Sequence, residues 1–276
     1  MAGTLYLVGT PIGNLGDISP RCEQTLAGVD FIAAEDTRVS VKILNHLGIK
    51  KQLVSYYEHN QAQSGQKILE RLMGGESCAL ITDAGMPAIS DPGEGLVDLC
   101  VKAGVRVVCV PGPSAVVSAL ALSGLPTGRF TFEGFLSVAK KSRFEHLEEL
   151  KSEKRTMVFY EAPHKLRGTL RDMLGAWGDR EISISREITK LHEETVRTTL
   201  SAACEYYEEN APRGEYVLVI RGARETERVM SLSDALALVR EMQDGGASLK
   251  DAVKRVAADH GLSKNELYDM ALKSRE

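Results

Sequence analysis

Short β-rich apolar runs recur through the first part of the chain, each separated from the next by a segment of helical periodicity. Residues 4–9 (TLYLVG), 30–34 (DFIAA), 52–55, 77–82 and 105–110 (VRVVCV) read as strands, and 20–28, 38–47, 61–73 and 94–103 read as helices. Parallel strands cannot be joined by a tight turn; they need a crossover, usually a helix lying on a sheet face. The alternation therefore predicts a parallel sheet covered by helices, an α/β domain over residues 1–122.

The Gly/Pro-rich stretch 123–129 (SGLPTGR) reads as a linker, and the pattern then changes. Strands are expected at 130–135, 156–162, 181–188, 194–200 and 215–220, with helices at 139–152 and 164–175. The close spacing of 181–188 and 194–200 implies antiparallel pairing, so residues 123–221 form a second, mixed-sheet α/β domain. A polar boundary at 222–230 precedes a helical extension, 231–276. There Ser248-x-x-Asp251 and Ser263-x-x-Glu266 fit capping boxes, and Ala257 and Gly261 before a capped helix suggest a helix-turn-helix. The expected fold is thus α/β, two α/β domains with a cleft between them plus a small helical C-terminal extension.

Charge and cysteine content narrow the function. A net charge of -4 argues against a globally basic nucleic-acid binder but leaves room for a local basic patch. One such patch is 139–171, which carries nine Lys/Arg against five Asp/Glu and reads either as a polyanion-binding surface or as a solvated helix face. Five scattered cysteines with no C-x-x-C pair suit a reducing cytoplasm, and the six histidines lack metal-ligand spacing, so no metal site is expected. The N-terminus lacks a basic n-region, and the longest near-apolar run, 114–122, is about half a membrane span; a soluble, cytoplasmic protein is expected.

The chemistry is concentrated in loops after strands. Residues 82–93, Thr-Asp-Ala-Gly-Met-Pro-Ala-Ile-Ser-Asp-Pro-Gly, place two glycines, two prolines and two aspartates at the end of the fourth strand, where open α/β sheets hold ligands. Such a loop is rigid and presents its backbone, although a stiff surface loop would read similarly. The first loop, Gly9-Thr10-Pro11-Ile12-Gly13-Asn14-Leu15-Gly16, has neither Rossmann nor P-loop spacing, which disfavours NAD and nucleoside triphosphates. The fifth strand ends in Pro111-Gly112-Pro113-Ser114-Ala115, with Ser114 placed to cap the next helix. Loops after strands of one parallel sheet share an edge, so these three should line one cleft. Glu35-Asp36-Thr37-Arg38 ends the second strand on that edge, as a functional group or a surface ion-pair cluster. Charged groups at 159–165 and 186–190 sit at strand ends of the second domain, positioned to face it.

Six motifs in order (GTPIGN, AAEDTR, DAGMPAISDPG, PGPSA, FYEAPH and REITK) resemble the tetrapyrrole methylase superfamily of S-adenosylmethionine-dependent methyltransferases over residues 4–221. Within it they are similar to a branch acting on small-subunit ribosomal RNA, as is the C-terminal SLKDAVKRVAADHGLSKNELY. Tetrapyrrole-modifying members carry Gly-Asp where this chain has Gly13-Asn14, and many have Gly at the position of Asp83. The resemblance implies S-adenosyl-L-methionine as cofactor, a homodimer, small ribosomal subunit rRNA as partner, and methylation of the ribose 2′-oxygen of a cytidine in the decoding centre of 16S rRNA. It places Pro11, Asp83, Ala84, Gly85, Ala88, Ser114, Ala115, Glu161 and Thr198 where relatives contact cofactor.

A ribose hydroxyl is a poor nucleophile at neutral pH, so a base or hydrogen-bond acceptor helps. Asp36 and Glu35 are the candidates for that catalytic role, and Arg38, Lys165, Arg186 and Lys190 are the candidate RNA contacts. Two other readings stay open: a methyltransferase acting on a tetrapyrrole or a protein residue, and a helix-turn-helix regulator with a ligand-sensing α/β part. Asn14 and the basic segment favour the RNA reading over the first, and the near-neutral tail disfavours the second.

Overall fold

The structure, a computed structural model, describes residues 2–224, 231–260 and 262–273; Gly261 and most of the polar boundary at 222–230 lie outside the described residues. The chain divides into two compact units, 1–223 and 224–276.

The first sheet contains β1 (Thr4–Val8), β2 (Phe31–Ala34), β3 (Gln52–Ser55), β4 (Cys78–Ile81) and β5 (Arg106–Val110), in the order β3-β2-β4-β1-β5. Every pairing is parallel. Period-two alternation divides each central strand between two cores. Phe31 and Ala33 of β2 join Leu5, Leu80, Ile68, Leu72 and Leu96 on one face, while Ile32 and Ala34 join Val8, Ile81, Val110, Leu26 and Leu44 on the other. Helices α1 (Pro20–Gly28), α2 (Thr37–His46), α3 (Gln61–Met73) and α4 (Gly93–Lys102) are the crossovers.

The second sheet contains β6 (Phe130–Phe135), β7 (Thr156–Glu161), β8 (Glu181–Arg186), β9 (Glu194–Thr199) and β10 (Tyr216–Ile220), ordered β6-β7-β10-β8-β9. It is mixed: β6 and β7 are parallel, and every other pair, β8 with β9 included, is antiparallel. One face packs Met157, Phe159, Ile182, Ile184 and Leu218 under α6 (Lys140–Glu149), α7 (Pro163–Trp177) and α8 (Leu200–Glu209). The other face is covered from the first half. Val116, Ala119 and Leu120 of α5 (Ala115–Leu122) pack on Val158, Val217 and Val219. Each fully buried aliphatic chain of this kind contributes about 1.5–3 kcal/mol. So α5 starts at the ligand edge of the first sheet and lies on the second, which fixes where the two halves face each other.

In the second unit, α9 (Leu232–Asp244), α10 (Leu249–His260) and α11 (Lys264–Lys273) close around Ala235, Val239, Val253, Val256 and Leu267. Ser231 caps α9, and Ser248 and Ser263 accept hydrogen bonds from the Asp251 and Glu266 N–H groups. Among the described residues neither expected capping box shows its second hydrogen bond, and the Asp251 carboxylate accepts from the Ser248 hydroxyl instead. Among the described residues, no helix is long and apolar enough to cross a membrane.

Candidate functional site

Strands β4, β1 and β5 are neighbours, so their C-terminal loops emerge side by side and bond to one another. Thr10 and Gly85 form an antiparallel bridge, with the Thr10 N–H 2.9 Å from the Gly85 carbonyl oxygen and the Gly85 N–H 3.2 Å from that of Thr10. The buried Thr10 hydroxyl donates to the Thr82 carbonyl at 3.1 Å. Gly9 and Gly112 touch backbone to backbone; a Cβ on Gly112 would lie 2.8 Å from the Gly9 Cα. The Gly112 N–H donates to Met86 Sδ at 3.2 Å. The glycines that sequence reading assigned to ligand approach thus serve first to let loops approach each other.

Between this edge and the second sheet lies a cleft of about 570 Å³. Its first-half wall includes Glu35, Asp83, Ala84, Gly85, Asp91, Ser114 and Ala115; its second-half wall includes Tyr160, Glu161, Ile188, Lys190 and Tyr216. Residues 85–91 hold unusual backbone: Ala88 and Ser90 have φ of 68° and 62° without being glycine. Asp91 over-determines that turn, its Oδ1 accepting from the N–H groups of Ala88 at 3.0 Å and Gly93 at 2.7 Å. Its Oδ2 is buried without a hydrogen-bond partner.

Three carboxylates converge on the first-half wall, none of them in an ion pair among the described residues. Glu35 Oε2 accepts from the Thr82 hydroxyl at 2.6 Å. Asp83 Oδ1 accepts from the Asp36 N–H at 3.1 Å. Burial pushes the Asp83 carboxyl up, helped by the Glu35 and Asp36 charges and opposed by the Asp36 N–H and Arg38. Burial likewise raises Asp91, with the Gly93 and Ala88 N–H groups opposing and Glu35 adding to the rise. Ionisation of either group is disfavoured, so both lower stability as pH rises past the ordinary carboxylate range. A cationic ligand reverses that balance. We expect its affinity to fall as pH drops through the raised titration range of Asp83 and Asp91, in calorimetric titrations from neutral to mildly acidic pH. In the same measurements Asp83→Asn should raise the thermal midpoint of the ligand-free protein and weaken the cation.

Asp36 sits differently. It caps α2 through the Arg38 N–H at 2.8 Å and is clasped by the Arg38 guanidinium at 2.6 Å. Those contacts hold its carboxyl at about 2. It is outside the cleft lining, and Arg38 is almost fully exposed.

Across the cleft, Glu161 is buried at the end of β7, its carboxylate accepting from the Ala162 N–H at 2.8 Å and the Thr169 hydroxyl. Lys190 lies over the first loop; a Cβ on Gly13 would come within 2.4 Å of its Cγ. Its ammonium bonds Glu187 at 3.0 Å and Glu215 at 2.8 Å. Burial lowers its pKa, and these two carboxylates outweigh burial to leave it raised. Arg186 pairs with Glu194 at 2.9 Å.

Of the nine positions expected at the cofactor, the cleft brings together Asp83, Ala84, Gly85, Ser114, Ala115 and Glu161. Pro11 and Ala88 belong to the flanking loops but not to the lining, and Thr198 is apart, paired with Ile182 toward the far end of β8 from Arg186. Ser114 occupies the N-cap position of α5, but its side chain makes no cap hydrogen bond, correcting that expectation. Asn14 Oδ1 instead caps the short turn of the first loop through the Gly16 N–H at 2.9 Å. Sequence reading missed Asp91, Ile188, Tyr216 and Val217 as lining; the signal for the last two was the start of an unbroken apolar strand directly after the exposed 210–215 turn.

Similarity to known proteins follows this anatomy. The family described as Tetrapyrrole (Corrin/Porphyrin) Methylases matches residues 4–204, and a second family, described as RsmI C-terminal HTH domain, matches 229–275. A uroporphyrin-III C-methyl transferase of Thermus thermophilus, solved in complex with S-adenyl homocysteine, shares the fold with a TM-score of 0.56 at 18% identity, over 79% of this chain and 97% of that one. Two proteins named Ribosomal RNA small subunit methyltransferase I match nearly end to end. That of Halalkalibacterium halodurans is 46% identical over 97% of this chain and 94% of its own length. That of Synechocystis is 44% identical over 98% of each. The chain belongs to the tetrapyrrole methylase family, in its ribosomal RNA small subunit methyltransferase I branch.

Proposed function

We propose that this chain methylates the ribose 2′-oxygen of a cytidine in the decoding centre of 16S rRNA, with S-adenosyl-L-methionine as methyl donor. The observation that carries the reading is the acidic cleft between the two sheets, in a chain whose near-full-length relatives are named for small-subunit rRNA. The donor fits the residues present. It is a cation, and the wall offers Glu35, Asp83 and Asp91, one of them with an orphaned oxygen. When bound it supplies an electrophilic methyl group.

Gly85, Ser114 and Ala115 bring backbone and small side chains to the donor, and Tyr160 and Tyr216 give the opposite wall its aromatic surface. The two walls exclude water and hold the reacting groups in line, a large part of the acceleration available to a displacement. Glu35 faces this space and is the candidate acceptor for the hydroxyl proton, whereas the Asp36 carboxylate is occupied by Arg38. Arg38, Lys165, Arg186 and Lys190 remain the proposed RNA contacts. Lys190 and Arg186 also hold ion pairs that RNA binding must loosen or share.

Incubating the protein and labelled donor with small subunits from a strain lacking the activity should place the label on a ribose oxygen of the decoding-centre rRNA. Label confined to a base, to ribosomal protein or to added tetrapyrrole overturns the reading. We also propose a cytoplasmic homodimer, from the family resemblance; a monomer by light scattering at micromolar concentration overturns the dimer.

A further inference from the structure

A second cavity, of about 180 Å³, opens at the start of α7 and is lined by Ser137, Arg143, His164 and Lys165. Glu161 lines both this cavity and the main cleft, so the two adjoin. The Glu161 carboxylate accepts from the Ala162 N–H and the Thr169 hydroxyl, and among the described residues no ion pair ties it to Arg143, His164 or Lys165. Arg143 spends one face on Asp172 at 2.7 Å and leaves its Nε buried without a hydrogen-bond partner. Lys165 is half-buried, and its side-chain ammonium has no hydrogen-bond or ion-pair partner among the described residues. A half-buried ammonium and an orphaned guanidinium nitrogen are costly to leave unmatched, and an anion matches both. Most of the cavity lining also falls in the segment 139–171, where basic residues outnumber acidic ones nine to five.

We propose that this cavity binds a backbone phosphate of the RNA, the one flanking the ribose presented to the main cleft. Phosphates flank every ribose along the chain, so a sugar seated beside Glu161 carries one toward the adjoining cavity. Lys165 and His164 meet its oxygens from the rim, and Arg143 meets them from the interior. The acidic cleft complements this arrangement: it repels phosphate and accepts the sugar, while the basic cavity takes the charge. The inference rests on the proposed RNA substrate.

The test is filter binding of small subunits across a series of salt concentrations, with wild type, Lys165→Gln, Lys165→Arg and His164→Gln, beside calorimetry of the methyl donor. Removing one phosphate contact lowers the slope of log affinity against log salt by about one unit. Lys165→Gln should show that loss and bind subunits about tenfold more weakly, with donor affinity unchanged; Lys165→Arg should restore both slope and affinity. His164→Gln, at an exposed position, gives a smaller weakening in the same direction and serves if Lys165→Gln does not fold. An unchanged salt slope in the folded variants overturns the phosphate site while leaving the methyltransferase reading standing. Failure of the wild-type protein to bind small subunits overturns both.

Discussion

Ala115→Leu is expected to lower affinity for the methyl donor at least about a hundredfold, roughly 3 kcal/mol, while the protein stays folded. Ala115 is the first residue of α5 and lines the cleft, so a larger side chain there enters donor space. Leucine is a good helix former and imposes no backbone strain at this position. Nearby glycines give poorer tests. Gly85 has φ +87°, so any side chain there strains the loop whatever space it fills. Alanine at Gly112 would meet the Gly9 backbone below 3 Å and prise apart the loops after β1 and β5, losing binding and stability together. Calorimetry of donor binding with a parallel thermal melt separates these cases. An unchanged affinity in folded Ala115→Leu removes the donor from this cleft.

The parallel sheet, its five strands and the edge carrying the three loops were legible because every strand but β3 is an apolar run with Gly, Pro or Asp close to its ends, and each is followed by a helical period. Strand order was not. Nothing local tells β4 to insert between β2 and β1, since that choice depends on which faces can be covered together. In the second half, α8 was missed although Leu200, Ala203 and Tyr207 carry its buried stripe at helical spacing. Ser, Ala, Cys and Tyr between them blur a pattern that larger aliphatics would have made plain. The two-sheet cleft itself was inferred from shared edges, but its placement depends on α5 crossing from one sheet to the other. That role is invisible in a near-apolar segment whose faces look alike.

Candidate acids illustrate the same limit. Sequence alone puts Glu35 and Asp36 side by side at a strand end and cannot tell which one faces the ligand. The loop after β2 separates them, with Glu35 in the cleft lining and the Asp36 carboxylate held outside it by Arg38 two residues on. Asp91 looked like one of two equivalent aspartates in a rigid loop. In the fold one of its oxygens builds the left-handed turn and the other is left without a partner.

Glu35→Gln is accordingly expected to reduce single-turnover methylation of small subunits by about 10²–10⁴-fold with donor saturating, the usual contribution of a positioned base. Glutamine keeps an oxygen able to accept from the Thr82 hydroxyl, 2.6 Å away in the wild-type protein, so the tie between the β2 and β4 loops persists and the thermal midpoint should change little. What is lost is the capacity to take a proton. Asp36→Asn is the matched control. Asparagine is also a good N-cap, and the wild-type carboxyl, held at about 2 by Arg38, is too weak a base to be missed at neutral pH. Its turnover should stay within a few-fold of wild type. Should Glu35→Gln turn over at near the wild-type rate, the proton is taken elsewhere. Asp83 and Asp91 would then be the remaining acids on this wall, both pushed up by burial, with Asp91 Oδ2 free of any hydrogen bond among the described residues.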